Sequence, residues 1–135
     1  MTYRIAYFTE QTDIGGGETS LIYLIEYMKS KGNEAVLFCP PGSLASFARE
    51  RGIDLVATPF HDAHMRMGIF PTISIRDLGE IYRRLRAIRV DVIHAESPLA
   101  LAYCGIVGFL MRKPCVATCH GYWPVQSAVF KYFLK

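Results

Sequence analysis

Short apolar runs alternate along the chain with longer segments whose apolar residues recur at helical spacing. The runs are rich in Val, Ile, Tyr, Phe and Cys, and their nearly continuous apolar character is typical of strands covered on both faces. Strands that alternate with helices indicate βαβ units and a parallel sheet. The pattern predicts five strands: Arg4 to Phe8, Ala35 to Cys39, Leu55 to Thr58, Val92 to Ala95 and Cys115 to Cys119.

Four helices are predicted between these strands. The first spans Glu18 to Lys31 and stops at Gly32, because glycine is common just after a helix. The others are a short helix before Gly52, a third from Leu78 to Ile88 with arginines opposite its apolar face, and a fourth from Pro98 to Met111. We therefore predict one doubly wound α/β domain, a Rossmann-like fold with a parallel sheet of five strands.

The composition narrows the class of protein. A chain of 135 residues with 51% hydrophobic content is long enough for one domain with one core and too short for two ordinary domains. A formal net charge of +3 falls well short of a nucleic-acid-binding composition, so no nucleic-acid partner is expected.

The four cysteines form no CxxC pair and the N-terminus lacks a secretory pattern, which favours a cytoplasmic setting. The longest apolar run, Leu99 to Met111, is too short to span a membrane.

Three short stretches directly follow predicted strands. In open parallel α/β sheets, ligands bind beyond the carboxyl ends of the strands, near the switch in strand order. The stretches are the turn of Gly15, Gly16 and Gly17 after strand one, His94 to Ser97 after strand four, and His120 to Trp123 after strand five. A ligand site is expected where these stretches meet.

The glycine turn is open to two interpretations. Glycines let a phosphate or a sugar approach backbone N–H groups, and the start of the following helix attracts an anion. The alternative is a tight connection that needs a positive φ, for which one glycine normally suffices. Two known phosphate turns do not fit. Strand two ends in "FCPPG" without the acid of a dinucleotide site, and the glycines lack the Gly-Lys-Ser/Thr of a P-loop.

The two histidines at strand ends are candidates for hydrogen bonding or acid–base chemistry, although a structural role is an alternative for each. His120 is the stronger of the two, because Gly121, Tyr122 and Trp123 follow it and aromatic rings are common in ligand pockets. The aromatic rings could equally close the edge of the core. His94 has no such neighbours.

A metal site is not expected. Cys115 and Cys119 lie about 13 Å apart along their predicted strand, at roughly 3.3 Å per residue, which is too far for one zinc ion. Buried cysteines acting as small hydrophobic residues fit better.

Arginines are concentrated on and around the third helix, and a solvated helix face is the default interpretation. Attraction to an anionic lipid surface is the alternative, which would make the protein peripheral to a membrane. The arginines are Arg76, Arg83, Arg84, Arg86 and Arg89.

Several stretches resemble the family 4 glycosyltransferases with the GT-B fold. "IGGGETSLIYLIEYMKSKGNEAVLFCP" is similar to the opening of that family, in which a Gly-Gly turn precedes an acidic residue, an apolar helix and strand two. "VDVIHAESPLALAYCGIVGFLMRKPCVATCHG" is similar to a later strand, its helix and the strand that ends in His-Gly. The resemblance covers nearly the whole chain. One departure is the turn itself, which reads Gly-Gly-Gly-Glu where Gly-Gly-Ala-Glu is commoner.

The resemblance implies half of a GT-B architecture: an N-terminal, acceptor-side domain in residues 1–135, with the C-terminal donor-binding domain absent. It further implies transfer of a sugar from a nucleotide-sugar donor to a sugar or lipid-linked acceptor, with retention of anomeric configuration and without a required metal or other cofactor. The chain alone is then expected to bind the donor weakly or not at all and to be inactive.

The resemblance also implies site residues. His120 would be the catalytic residue beside the transferred sugar. The substrate-binding residues would be Gly15, Gly16, Gly17, His94, Glu96, Gly121 and Tyr122. Among these, the glycines would place N–H groups near the donor diphosphate, and His94 and Glu96 would line the acceptor side.

Two functions of other classes remain open at this point. A non-catalytic Rossmann-like module would bind a partner through the face that a second domain would otherwise cover. A nicotinamide-dependent oxidoreductase domain would bind NAD at the same edge of the sheet, although the acidic residue for the ribose is missing.

Overall fold

The computed structural model describes residues 1–58, 73–118 and 120. In chain order, the elements are β1 (Arg4–Phe8), α1 (Gly16–Ser30), β2 (Glu34–Cys39), α2 (Ser43–Glu50), β3 (Asp54–Ala57), α3 (Ile75–Ala87), β4 (Val92–Ala95), α4 (Pro98–Met111) and β5 (Cys115–Ala117). The described residues thus contain the alternation of strands and helices that the hydrophobic pattern predicts.

The five strands form one parallel sheet in the order β3-β2-β1-β4-β5. Ile5 in the central strand β1 is paired with Ala35 of β2 on one side and with Val92 of β4 on the other. The connection from β3 to β4 carries the chain across β1, so the strand order switches between β1 and β4. The segments that follow these two strands therefore flank the position where such sheets bind ligands.

Helices cover both faces of the sheet. Ile5 and Tyr7 point to the face on which α1 and α2 pack, while Ala6 and Phe8 point to the face of α3 and α4. This alternation along β1 produces two separate apolar layers, as the period of two along a strand requires. The predicted doubly wound α/β fold is confirmed. The edge strand β5 is less covered than predicted, since Val116 is 49% exposed.

The predicted bounds hold for β1, β4 and α4, whereas other elements differ at their ends. Helix α1 begins two residues earlier than predicted, at Gly16. Helix α3 also begins earlier, because the Ser74 side chain caps it by accepting a hydrogen bond from the Asp77 N–H group. Strand β5 ends at Ala117, and the predicted strand residue Cys119 lies outside the described residues.

The arginines of α3 lie on an exposed helix face with local partners. Arg83 and Arg84 both bond the carboxylate of Glu80, and Arg83 is 71% exposed. This arrangement is that of a solvated helix surface. None of the helices in residues 1–58 and 73–118 is long and apolar enough to cross a membrane.

Candidate active site

Three segments meet at the carboxyl edge of the sheet. Since β4 lies between β1 and β5, the residues after β4 have the glycine turn on one side and His120 on the other. A methyl group placed on Gly17 would lie 3.4 Å from Cδ2 of His120, and Glu96 bonds the same histidine ring. The sequence-predicted residues Gly17, His94, Glu96 and His120 therefore form one connected group.

Glu96 is the centre of this group. Its Oε2 atom lies 2.7 Å from Nε2 of His120, and its Oε1 atom lies 2.9 Å from Nε2 of His94. The first contact has hydrogen-bond geometry. The second is a close polar approach, and Oε1 has no hydrogen-bond partner among the described residues. The side chain of Glu96 is only 5% exposed, so a single buried carboxylate lies between two imidazole rings.

His94 is held firmly in place. Its Nε2 atom lies 2.6 Å from the hydroxyl of Thr118, and its ring centroid is 5.2 Å from that of Tyr7 in β1. Only 12% of its side chain is exposed, compared with 38% for His120. Of the two histidines, His120 is the one with a surface that a ligand can reach.

The electrostatics of the group follow from its burial. Burial raises the pKa of the Glu96 carboxyl, but the interactions with His94 and His120 outweigh it and hold the pKa below its usual value. Burial, with a smaller contribution from the Glu96 charge, raises the pKa of Tyr7 to about 12. At neutral pH, the site therefore holds an ionised carboxylate and an uncharged phenol.

The glycine turn has no left-handed backbone. Among the described glycines, only Gly32 and Gly52 have a φ in the left-handed region, and both follow helices. The alternative that the turn needs glycine for its φ is therefore wrong. Gly16 has open space where a side chain would be, with no heavy atom within 4 Å of an added methyl group.

The N–H groups of the turn are partly in use. The Gly15 N–H group donates to Oε2 of Glu18 at 3.0 Å, which leaves it satisfied within the chain. Gly16 and Gly17 form the first turn of α1, where N–H groups have no partner inside the helix. An anion at this position would thus be bound by Gly16 and Gly17 rather than by Gly15.

Two polar residues at this edge, Glu10 and Thr118, are not among the residues predicted from the sequence, whereas Ser97 ends the predicted stretch from His94. Thr118 bonds His94, and the buried Glu10 accepts a hydrogen bond from Ser97, whose hydroxyl caps α4 by accepting from the Ala100 N–H group. All three lie one or two residues after a strand, so the rule that selects the other residues applies to them as well.

Gly121 and Tyr122, together with Trp123, lie outside the described residues. Within the described part of the chain, no group of three or more His, Cys, Asp or Glu residues is arranged to hold a metal ion. Cys39 and Cys104 are buried and Cys115 is half-buried. Burial raises the pKa of the Cys39 and Cys115 thiols to about 11, which fits cysteines that pack as hydrophobic residues.

Comparison with known proteins identifies the family of the chain. Residues 14–135 match the sequence profile of Glycosyltransferase Family 4. A GDP-mannose-dependent alpha-mannosyltransferase of Mycobacterium tuberculosis (strain CDC 1551 / Oshkosh) is 32% identical over 97 residues, which are 69% of this chain and 25% of the relative.

Solved structures share the fold. A glycosyltransferase from Rickettsia africae ESF-5 superposes with a TM-score of 0.79 at 18% identity, over 98% of this chain and 33% of its own. Anabaena HepE in complex with UDP-glucose superposes with a TM-score of 0.73 at 17% identity, over 97% of this chain and 34% of its own. The chain thus spans between a quarter and about a third of the length of these proteins. It belongs to glycosyltransferase family 4 and has the Rossmann-like fold of the N-terminal domain of a GT-B enzyme.

Proposed function

We propose that the carboxyl edge of this sheet is the acceptor-side half of a site that transfers a sugar from a nucleotide-sugar donor to an acceptor. The observation that carries the proposal is the open space at Gly16, next to Gly17 and the accessible ring of His120 that lies against it. A donor presents a diphosphate and a sugar side by side. A helix start and an imidazole side by side are suitable partners for them.

The glycine turn would bind the diphosphate. The N–H groups of the first turn of α1 and the positive end of its dipole stabilise negative charge on the leaving group without a proton transfer. Fixed dipoles of this kind act from the start of the reaction and need no metal. The lack of side chains at Gly16 and Gly17 lets the phosphate oxygens come close to the backbone.

His120 would contact the transferred sugar. Its ring is partly exposed, lies against Gly17 and is bonded to an ionised carboxylate. An imidazole supported in this way can position a sugar hydroxyl and can tolerate the positive charge that develops on the sugar as the bond to the diphosphate breaks. We propose that the transfer retains the anomeric configuration.

His94 and Glu96 would have a supporting role at the acceptor side. Both side chains are largely buried, which limits their direct contact with a substrate. Gly121 and Tyr122 are proposed to complete the sugar contacts, and a sugar or a lipid-linked sugar is the proposed acceptor. GDP-mannose and UDP-glucose are the two donors to test first, because relatives are named for the one and crystallised with the other.

The 135-residue chain would not catalyse transfer by itself. The proteins that it matches are about three times as long, and the proposed reaction uses a donor-binding domain opposite this edge. The test has two arms, in which transfer to an acceptor is followed by mass spectrometry. One uses the chain alone, and the other uses the protein translated from the whole reading frame that contains it.

The expected result is transfer only in the second arm, with a product whose anomeric configuration equals that of the donor. In that protein, His120→Ala should lower the rate by about 10²-fold, the size typical of losing one group that stabilises a transition state. Normal activity of the variant would overturn the site assignment. Saturable binding of NAD at micromolar concentration would instead favour an oxidoreductase domain.

A further inference from the structure

We propose that Glu96 is a positioning residue that keeps the proton of His120 on Nε2 and thereby makes Nδ1 the nitrogen that meets the ligand. That Nδ1 meets a sugar rests on the function proposed above. The position of the proton does not, because it follows from the contacts within the chain.

The first step is the chemistry of the contact between Glu96 and His120. An ionised carboxylate has only acceptor atoms, so a ring nitrogen that lies 2.7 Å from Oε2 must carry the hydrogen. A neutral imidazole has one N–H group. If Nε2 carries the hydrogen, Nδ1 has a free lone pair and accepts hydrogen bonds.

The second step is the rigidity of Glu96. Its side chain is 5% exposed, and His94, which lies beside Oε1, is itself fixed by Thr118 and by the ring of Tyr7. The carboxylate is therefore more buried than the ring of His120 and lies beside a fixed neighbour. The more exposed ring is the partner that adapts to it.

The third step is the contact with α1. The ring atoms of His120 nearest to the position of a side chain on Gly17 are Cδ2 at 3.4 Å and Cγ at 3.5 Å. The helix therefore packs near the Cγ–Cδ2 bond rather than over Nδ1. Nδ1 is not among the ring atoms nearest to Gly17.

The tautomer can be read directly by NMR. The chain is labelled with ¹⁵N-histidine, long-range ¹H–¹⁵N spectra are recorded without ligand, and the signals of His120 are identified by their loss in His120→Asn. We expect the pattern of a ring protonated on Nε2. In Glu96→Gln, the neutral amide no longer demands an N–H donor, so a mixture of both tautomers is expected.

Glu34→Gln is the matched control, because it removes a carboxylate from the opposite edge, where Glu34 pairs with Arg4. It should leave the His120 signals unchanged. A ring protonated mainly on Nδ1 in the unaltered chain would overturn the proposal, and so would a Glu96→Gln spectrum equal to that of the unaltered chain. If Glu96→Gln does not fold, the unaltered chain decides the tautomer and Glu96→Asp replaces it in the comparison.

The contact between Nδ1 of His120 and the ligand is tested by titrating UDP-glucose and GDP-mannose into the same samples. If Nδ1 accepts from the sugar, its ¹⁵N signal moves on binding, and Glu96→Gln weakens binding by about five- to tenfold. A donor that binds elsewhere on the chain and leaves His120 unaffected, while the tautomer is as expected, would contradict the proposed function alone. A donor that binds at His120 with the opposite tautomer would contradict the role of Glu96 alone.

Discussion

Two turns at the carboxyl edge of the sheet contain glycine for different reasons. In the turn from β2 to α2, a methyl group on Gly42 would lie 2.4 Å from the carbonyl oxygen of Thr12. That oxygen also accepts a hydrogen bond from the Leu44 N–H group at 3.0 Å. In the turn from β1 to α1, Gly16 faces open space and Gly17 faces only the ring of His120.

Packing explains the glycine in the turn from β2 to α2, whereas the glycines in the turn from β1 to α1 need another explanation. Gly42 is required because two backbone segments touch there. Gly16 and Gly17 have neither a positive φ nor a backbone contact that excludes a side chain. The fold does not account for them, which supports the interpretation that they leave room for a ligand.

The largest expected effect is at the packed turn. Gly42→Ala forces the added methyl group against a carbonyl oxygen, so the two turns must move apart. We expect a loss of about 2–3 kcal/mol in the free energy of unfolding, measured by urea denaturation. A change smaller than about 0.5 kcal/mol would remove the contrast between the two turns.

A smaller loss is expected at the carboxylate beside the open turn. Glu96→Gln should lower the free energy of unfolding by about 1–2 kcal/mol at neutral pH, because a hydrogen bond to a charged group is lost. The folded-state pKa of Glu96 lies below its ordinary value of 4.5. Its contribution is therefore complete above that value and lost as the pH falls through the folded-state pKa.

Urea unfolding between about pH 3.5 and pH 7 checks this sign. The gap in stability between the unaltered chain and Glu96→Gln should be present at neutral pH and should narrow as the pH falls below about 4.5. A gap that goes on widening below about pH 4.5 would mean that the carboxyl is protonated in the folded protein. The contacts of Glu96 with the two histidines would then need another account.

A substitution at Gly17 tests whether the first turn of α1 binds the donor. Gly17→Leu places a bulky side chain against His120 and over the first turn of α1, so donor affinity should fall at least about tenfold. Gly17→Ala is the matched control. Its methyl group would be in ordinary contact with Cδ2 of His120 at 3.4 Å and therefore would not displace the ring. Equal donor affinity in Gly17→Leu and the unaltered chain would show that the open space is not used.

The smallest effect has the opposite sign. Gly16→Ala at the first position of α1 meets no atom within 4 Å and should raise the free energy of unfolding by about 0.4–1 kcal/mol. Urea denaturation of Gly16→Ala and Gly42→Ala under the same conditions compares the two turns in one experiment. If Gly16→Ala is as destabilising as Gly42→Ala, the first turn is a packing feature as well.

The sequence predicted most of the fold, because the signals for it are local. Helix α4 has the predicted bounds since Pro98 suits a first turn and an apolar run follows it. The predicted start of α1 is two residues late because Gly16 and Gly17 are poor helix formers. Both are helical in the structure, where the Ser20 hydroxyl donates to the Gly16 carbonyl oxygen at 3.0 Å.

The site was predicted only as a set of positions. Strand ends select His94, Glu96 and His120 without saying which of them touch, because that depends on the pairing of β4 with β5 and on side-chain direction. The contact of Thr118 with His94 and the pairing of Glu10 with Ser97 likewise join residues far apart in the chain. No local pattern records such contacts.

The most direct test is a map of where a nucleotide sugar touches the chain. Backbone amide signals are followed by NMR while UDP-glucose or GDP-mannose is added up to concentrations on the order of 10 mM, since half a site should bind with a Kd on the order of 1 mM. The largest changes are predicted at the amides of Gly16, Gly17 and His120, with Gly42 nearly unchanged. Changes at other positions that avoid Gly16 and Gly17 would contradict the account.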